Sequence, residues 1–430
     1  MSRLTVSPSA ALRGCVTVPG DKSISHRALL LGALAEGSSH ITGFLPSGDC
    51  RATLNCLRAL GVRIQTHNAT TLTVHGRGPG GLEASAAPLD CVRSGTTMRL
   101  LTGVLAGQPF TTTLSGEKQL LRRPMGRVVE PLRRMGANIE DTAGHAPLAV
   151  YGQPLHGITH VLSVASAQVK SAILLAGLTA AGSTSVHQPG PARDHTERML
   201  AAIGADIQTS GLTVTLRAAS RLAPLSLTIP GDVSSASFLL VAAALVPDSD
   251  VTVTGVGINP TRTGLIDVLR RMGGDISVSN QHSACGETVA DVTTRTSDLR
   301  GVKIEGDTVV RMIDEFPVLA VAATQAHGTT VVRDANELRV KETDRIDAVV
   351  QELGALGAHI EPREDGFVVE GPTPLHGAPV HSHGDHRLAM ALAVAGLVAD
   401  GDVIIQDMDC AEDSFPGFVE RMRAMGVNCD

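Results

Sequence analysis

The chain has 430 residues, room for roughly two to four domains, and 43% of them are hydrophobic although only 2% are aromatic. A net charge of −7, one tyrosine and no tryptophan argue against nucleic acid as the main partner, since both a cationic track and a stacking platform are missing. Seven scattered cysteines without a CxxC pair, no signal-peptide stretch, and apolar runs (Phe238–Val246, Leu388–Val398) too short for a span predict a soluble cytoplasmic protein. Disulfides, thiolate zinc sites and membrane contact are not expected.

One five-residue turn then recurs along the chain. Leu60-Gly61-Val62-Arg63-Ile64, Met135-Gly136-Ala137-Asn138-Ile139, Ile203-Gly204-Ala205-Asp206-Ile207, Met272-Gly273-Gly274-Asp275-Ile276, Leu356-Gly357-Ala358-His359-Ile360 and Met425-Gly426-Val427-Asn428-Cys429 each end an apolar helix and start an extended run. Glycine tolerates the left-handed helix cap. Six such turns predict a repeat architecture of six units.

The first unit opens at Asp21-Lys22-Ser23-Ile24-Ser25-His26-Arg27. Gly76-Arg77-Gly78-Pro79-Gly80-Gly81 follows a hairpin strand and reads as a loop, and no working nucleotide motif is present. The second unit opens at Ser94-Gly95-Thr96-Thr97-Met98-Arg99, continues through strand Thr111–Leu114, and carries a basic loop, Gly116–Met125, before a helix that starts after a proline. The third shows the whole order. Ser166-Ala167-Gln168-Val169-Lys170 opens an apolar helix that stops at Gly182, and strand Thr184–His187 follows. Arg193-Asp194-His195-Thr196-Glu197 begins a second helix, and Ile207 with Leu212–Leu216 forms a hairpin around Gly211. The later units open near Asp232, Asp314 and Asp385, with strands Val251–Thr254, Thr329–Val332 and Val403–Ile405.

Ser, Thr and Asp at these starts are explained as N-caps, and for Asp232 and Ser234 that suffices. It does not explain Lys22, Arg27, Arg99, Lys170 and Arg387. Cations in a first turn oppose the helix dipole unless an anion sits there. Several equivalent anion sites predict a cleft for a ligand with more than one negative charge. Leu338–Arg345 packs five charges into eight residues at a second-helix start, before a helix expected over Ile346–Leu353. Lys341 and Arg345 are expected to share a helical face beside Glu342, and with Asp314 they could bind an anion and move protons. His381-Ser382-His383-Gly384-Asp385-His386 has metal-like spacing but no clear carboxylate set, so no metal is assigned.

Pro19–Arg27, Ser94–Arg99, Arg123-Pro124, Arg339–Arg345 and Gly384–Arg387 resemble, in order, the blocks of the 5-enolpyruvylshikimate-3-phosphate synthase family. Ser166–Lys170, Arg193–Glu197 and Asn259-Pro260-Thr261-Arg262 further resemble its class II branch, which includes glyphosate-tolerant members. The resemblance implies an α/β fold of six βαβαββ-type repeats in two similar domains, an inside-out α/β barrel. One domain would be residues 20–229 and the other 1–19 with 230–430, joined by two hinge crossings. It implies transfer of the enolpyruvyl group of phosphoenolpyruvate to the 5-hydroxyl of shikimate 3-phosphate, with no metal or organic cofactor, by a monomer.

By position, Lys22, Ser23, Arg27, Ser166, Ala167, Gln168 and Arg193 would hold shikimate 3-phosphate. Lys22, Gly95, Arg123, Gln168, Arg345 and Arg387 would meet phosphoenolpyruvate. Asp314 would accept the proton of the attacking hydroxyl, Lys341 would contact that hydroxyl, and Glu342 or Lys22 would protonate the methylene carbon. Two positions depart from the family pattern. Arg93 stands where many members have Asn, and Asp413 where many have a Lys that meets phosphoenolpyruvate. Arg93 is expected to supply the missing positive charge or to pair with Asp413. The nearest rival of the same fold is UDP-N-acetylglucosamine enolpyruvyl transferase, which typically uses a cysteine on the loop corresponding to Ser115–Pro124. None stands there. A non-catalytic anion-binding scaffold is disfavoured by acids placed among cations.

Overall fold

All six turn glycines take the left-handed conformation, with φ between 82° and 100°. After each glycine, an N–H reaches back five residues to a helix carbonyl: Val62 to Leu57, Ala137 to Leu132, Ala205 to Leu200, Gly274 to Leu269, Ala358 to Leu353 and Val427 to Met422, at 2.8–3.1 Å. These bonds satisfy carbonyls that the helix end leaves open. They are seen in a computed structural model that describes residues 2–219 and 221–430. The sixth turn differs from expectation, because no strand follows it. Residues 428–430 make only a short antiparallel bridge on the edge of Arg3–Val6 opposite Val403–Gln406, where Cys429 faces Val6 and Thr5 and Asp430 exchange backbone hydrogen bonds at 2.7 and 3.0 Å.

The chain divides into two compact units. The first comprises Gly20–Ile229 with Ser283–Glu287. The second comprises the chain up to Pro19 with Pro230–His282 and Thr288–Asp430. Among the described residues the first unit has three four-stranded sheets of one plan. A short edge strand runs parallel to the strand after the first helix, and a hairpin continues the sheet antiparallel. Thr159–Val161, Ser183–His187, Thr213–Arg217 and Ile207–Ser210 show it. The sheet of the Lys22 repeat takes its edge strand, Ser226–Thr228, from far along the chain, paired with Glu36–Thr42. In the second unit Arg13–Thr17 is the equivalent edge strand, parallel to Asp250–Gly257.

The first helices of the repeats are Lys22–Leu34, Gly95–Ala106, Ala167–Gly177, Val233–Leu245, Phe316–Gln325 and His386–Gly396. Each is apolar on all sides and buried along most of its length, the signature of a core helix. Small residues let them approach. A Cβ on Gly103 would lie 2.2 Å from the carbonyl oxygen of Ala172 on the neighbouring helix. That closeness explains a core built with so few aromatics. The sheets lie outside these helices with alternate side chains buried, as in His145–Tyr151. No helix is long and apolar enough to cross a membrane among the described residues.

Candidate active site

In the first unit three helix starts meet. Asp21 caps the Lys22 helix by accepting from the Ile24 N–H at 2.9 Å. The ammonium of Lys22 lies 3.4 Å from Asp49 Oδ2, both groups partly exposed. The Asp49 carbonyl accepts from Thr97 Oγ1 of the Gly95 helix at 3.3 Å. Ser94 caps that helix, and Gly95 is its first residue. A Cβ on Gly95 would lie 3.0 Å from Nη1 of both Arg123 and Arg99. The missing methyl lets two guanidinium groups lie over the helix start. Arg99 donates to Gln168 Oε1 at 2.5 Å, and Gln168 donates to Thr96 Oγ1 at 2.9 Å. Gln168 follows Ala167 and the cap Ser166, which accepts from the Val169 N–H at 3.4 Å.

Arg27 closes the ring. It donates from Nε to Thr196 Oγ1 at 2.7 Å, from Nη2 to Ser171 Oγ at 2.8 Å and from Nη1 to the Ser23 carbonyl at 3.0 Å. Its pKa is lowered to about 10, chiefly by burial. Glu197 and Asp21 oppose the shift, and Arg193 adds to it. Arg193, partly exposed, therefore shares one electrostatic neighbourhood with Arg27. Lys170 departs from expectation. It is buried, with Nζ 2.5 Å from Glu197 Oε1, so its charge is neutralised internally and offers no open anion site.

In the second unit the charges gather around one carboxylate. Asp314 Oδ1 lies 3.6 Å from Lys341 Nζ and 3.4 Å from Arg345 Nη1, and Oδ2 lies 3.8 Å from Arg387 Nη2. Arg345 also donates to Asp385 and to Glu342, each at 2.7 Å. Burial alone would lower the pKa of Arg345, but Asp385, Glu342 and Asp314 outweigh it and raise it. Asp385 caps the His386 helix by accepting from the Arg387 and Leu388 N–H groups. Lys341 and Arg345 do not share a helical face. The helix runs Arg345–Ala355 behind its cap Asp344, and Lys341 follows the one-turn segment Asn336–Val340. Their common ligand Asp314 brings them together instead. The Phe316 helix also starts later than expected, with Glu315 at its cap position.

Asp232 and Ser234 do more than cap the Val233 helix, because buried Arg262 reaches both, at 3.1 and 2.8 Å. His383 bonds Glu352 at 2.7 Å and His381 pairs with Asp407 at 3.0 Å. Among the described residues no cluster of His, Cys, Asp or Glu could hold a metal ion. Arg93 lies 3.3 Å from Glu117, both well exposed, and Asp413 ends the short turn Met408–Asp413. Sequence reasoning missed Asp49, Ser171 and Thr196. Asp49 and Thr196 stand in first turns of second helices, positions that the repeat could have flagged.

The chain matches the sequence profile of EPSP synthase (3-phosphoshikimate 1-carboxyvinyltransferase) over residues 6–422. A 3-phosphoshikimate 1-carboxyvinyltransferase of Gloeobacter violaceus is 55% identical over 421 residues, covering 97% of this chain and 98% of that protein. One of Geobacillus kaustophilus is 52% identical over 420 residues, 97% and 98% of the two chains. The solved EPSP synthase of Acinetobacter baumannii is 44% identical with a TM-score of 0.91, over 100% of this chain and 99% of that one. The enolpyruvyl transferase NikO of Streptomyces tendae, at 22% identity and a TM-score of 0.82 over 100% and 98%, shares the fold. Fold and comparisons together define an α/β enolpyruvyl transferase, a carboxyvinyl-transferring enzyme. Within that class, the chain belongs to the EPSP synthase family.

Proposed function

We propose that the charged helix starts of both units carry the EPSP synthase reaction, the shikimate-pathway step that joins phosphoenolpyruvate to shikimate 3-phosphate and releases phosphate. In the first unit, Lys22, Ser23, Arg27, Ser166, Ala167, Gln168 and Arg193 take shikimate 3-phosphate. Lys22, Gly95, Arg123 and Gln168 serve phosphoenolpyruvate. In the second unit, Arg345 and Arg387 serve phosphoenolpyruvate, and Lys341 contacts the reacting hydroxyl. The 5-hydroxyl oxygen attacks C2 of phosphoenolpyruvate as its proton passes to Asp314. C3 gains a proton from Glu342 or Lys22, giving a tetrahedral intermediate. Phosphate then leaves as C3 loses a proton, and no cofactor enters.

One observation carries this reading. The Asp314 carboxylate faces three cations at 3.4–3.8 Å. The same cations compete with a substrate hydroxyl for the Asp314 oxygens. An anionic substrate that engages Arg387 turns that guanidinium toward itself and opens an Asp314 oxygen to the arriving hydroxyl. Arginine suits the task because it binds carboxylate and phosphate bidentately and stays charged. We also place the enzyme in the cytoplasm as a monomer and a glyphosate target. Seven free thiols suit a reducing compartment.

A phosphate-release assay tests the assignment. Asp314→Asn should lower kcat by about 10²–10⁴ and leave KM for both substrates within about threefold. Near-normal turnover would remove Asp314 from this role. UDP-N-acetylglucosamine in place of shikimate 3-phosphate should release no phosphate.

A further inference from the structure

Five of the six first helices are capped by the side chain before them: Asp21, Ser94, Ser166, Asp232 and Asp385. The Phe316 helix is the exception, because Glu315 makes no side-chain cap bond. Its carboxylate leaves its own helix. Glu315 is 1% exposed, and Oε1 accepts a hydrogen bond from the Ser234 hydroxyl. Arg387 Nη1 lies 4.0 Å from that same oxygen. The Ser234 hydroxyl also accepts from Arg262 Nη2 at 2.8 Å, and Arg262 is held in turn by Asp232. A directed chain therefore runs from Arg262 through Ser234 to Glu315, and it ends at Arg387. Three helix starts of the second unit meet in it.

The geometry at Arg387 gives the chain a use. Two consecutive carboxylates face its guanidinium, Asp314 toward Nη2 at 3.8 Å and Glu315 toward Nη1 at 4.0 Å. Asp314 is partly open, whereas Glu315 is sealed off and tied to Ser234. A buried carboxylate with a fixed hydrogen bond is a rigid counter-charge. We propose that Glu315 is a positioning residue that acts through Arg387. It holds one edge of the guanidinium, so that the other edge can turn from Asp314 to the anionic group of phosphoenolpyruvate without losing its orientation. This rests on the assignment of Arg387 to phosphoenolpyruvate made above.

Steady-state kinetics and thermal unfolding of three variants test it. Glu315→Gln keeps an oxygen that can accept from Ser234 but removes the charge. It should raise KM for phosphoenolpyruvate about tenfold, while KM for shikimate 3-phosphate stays within about twofold and kcat within about threefold. Ser234→Ala frees the carboxylate while retaining its charge, and should move the same KM in the same direction by about threefold. This second variant decides the matter if Glu315→Gln does not fold. Added to Arg387→Lys, Glu315→Gln should produce no further rise, the mark of two groups acting as one. An unchanged KM for phosphoenolpyruvate in both single variants would overturn the inference. So would equal rises for both substrates accompanied by a lowered melting temperature, which is what a purely structural role predicts. If Arg387→Lys itself left KM for phosphoenolpyruvate unmoved, the assignment of Arg387 would fall first, and the role of Glu315 with it.

Discussion

Gly95 shows what one absent methyl group controls. Alanine there would bring a Cβ to 3.0 Å from the guanidinium groups of Arg123 and Arg99, tighter than ordinary contact. Arg99 is pinned by Gln168 at 2.5 Å, so the added methyl presses on cations that cannot all move away without cost. A shift of a few tenths of an ångström in a binding cation is enough to be felt. Gly95→Ala should raise KM for phosphoenolpyruvate by about three- to tenfold, with KM for shikimate 3-phosphate unmoved. At this first helical position the gain from helix propensity should stay below the roughly 0.5–1 kcal/mol of a helix interior. Kinetics together with urea unfolding would show both, and an unchanged KM would mean that the arginines absorb the methyl freely. The residue also marks how far sequence reading reaches. Its place at a helix start was legible from Ser94-Gly95-Thr96. Its need to be glycine was not, because that depends on Arg123, far along the chain. Arg27 is similar: it stood out as a cation in a first turn, but Ser171 and Thr196, which hold it, belong to another repeat.

At the scale of elements, the short helix His195–Ala202 acts as a junction. Its first three side chains point to three different buried partners. His195 Nδ1 bonds Glu287 at 2.7 Å, Thr196 accepts from Arg27 at 2.7 Å, and Glu197 pairs with Lys170 at 2.5 Å. The polar first turn was legible, but the sorting of its residues was not. An acid in a first turn complements the dipole whether or not a lysine lies against it, so Glu197 carried no visible mark of its partner. The pair makes a definite prediction. Lys170 is 1% exposed, and removing its counter-charge strands a buried cation, which costs about 3–5 kcal/mol. Glu197→Gln should therefore lower unfolding stability by about that amount. Lys170→Met added to it should restore most of the loss, since an apolar side chain of similar size leaves no charge to satisfy. Chemical denaturation of the single and double variants would decide it. A single variant costing under about 1 kcal/mol would show the ammonium reaching water.

At the scale of the whole molecule, the repeat was legible and its strand exchanges were not. Ser226–Thr228 and Arg13–Thr17 are edge strands of three and five residues. Runs that short carry no periodicity to say which sheet they join. Stability as a whole should fall on the acid side, and two histidines help to set the slope. Burial lowers the pKa of His26 from 6.5 to about 3, with Asp49 opposing and Lys22 and Arg27 adding. Burial, then Arg134, lowers that of His160 from 6.5 to about 4. Above about pH 7.5 neither ring carries appreciable charge in either state, so neither makes stability depend on pH. As pH falls from 6.5 toward 4 the unfolded chain binds protons that the folded chain refuses. Stability is then lost at up to about 1.4 kcal/mol per pH unit for each histidine. His160 offers the clean test, because neither ring nitrogen meets a hydrogen-bond partner among the described residues. His160→Leu should leave stability at pH 7.5 equal or higher, and it should reduce the slope of unfolding free energy between pH 6.5 and 4.5 by about one proton. Urea titrations at half-unit pH steps measure that slope, and one identical to the parent chain's would show that His160 takes up its proton equally in both states.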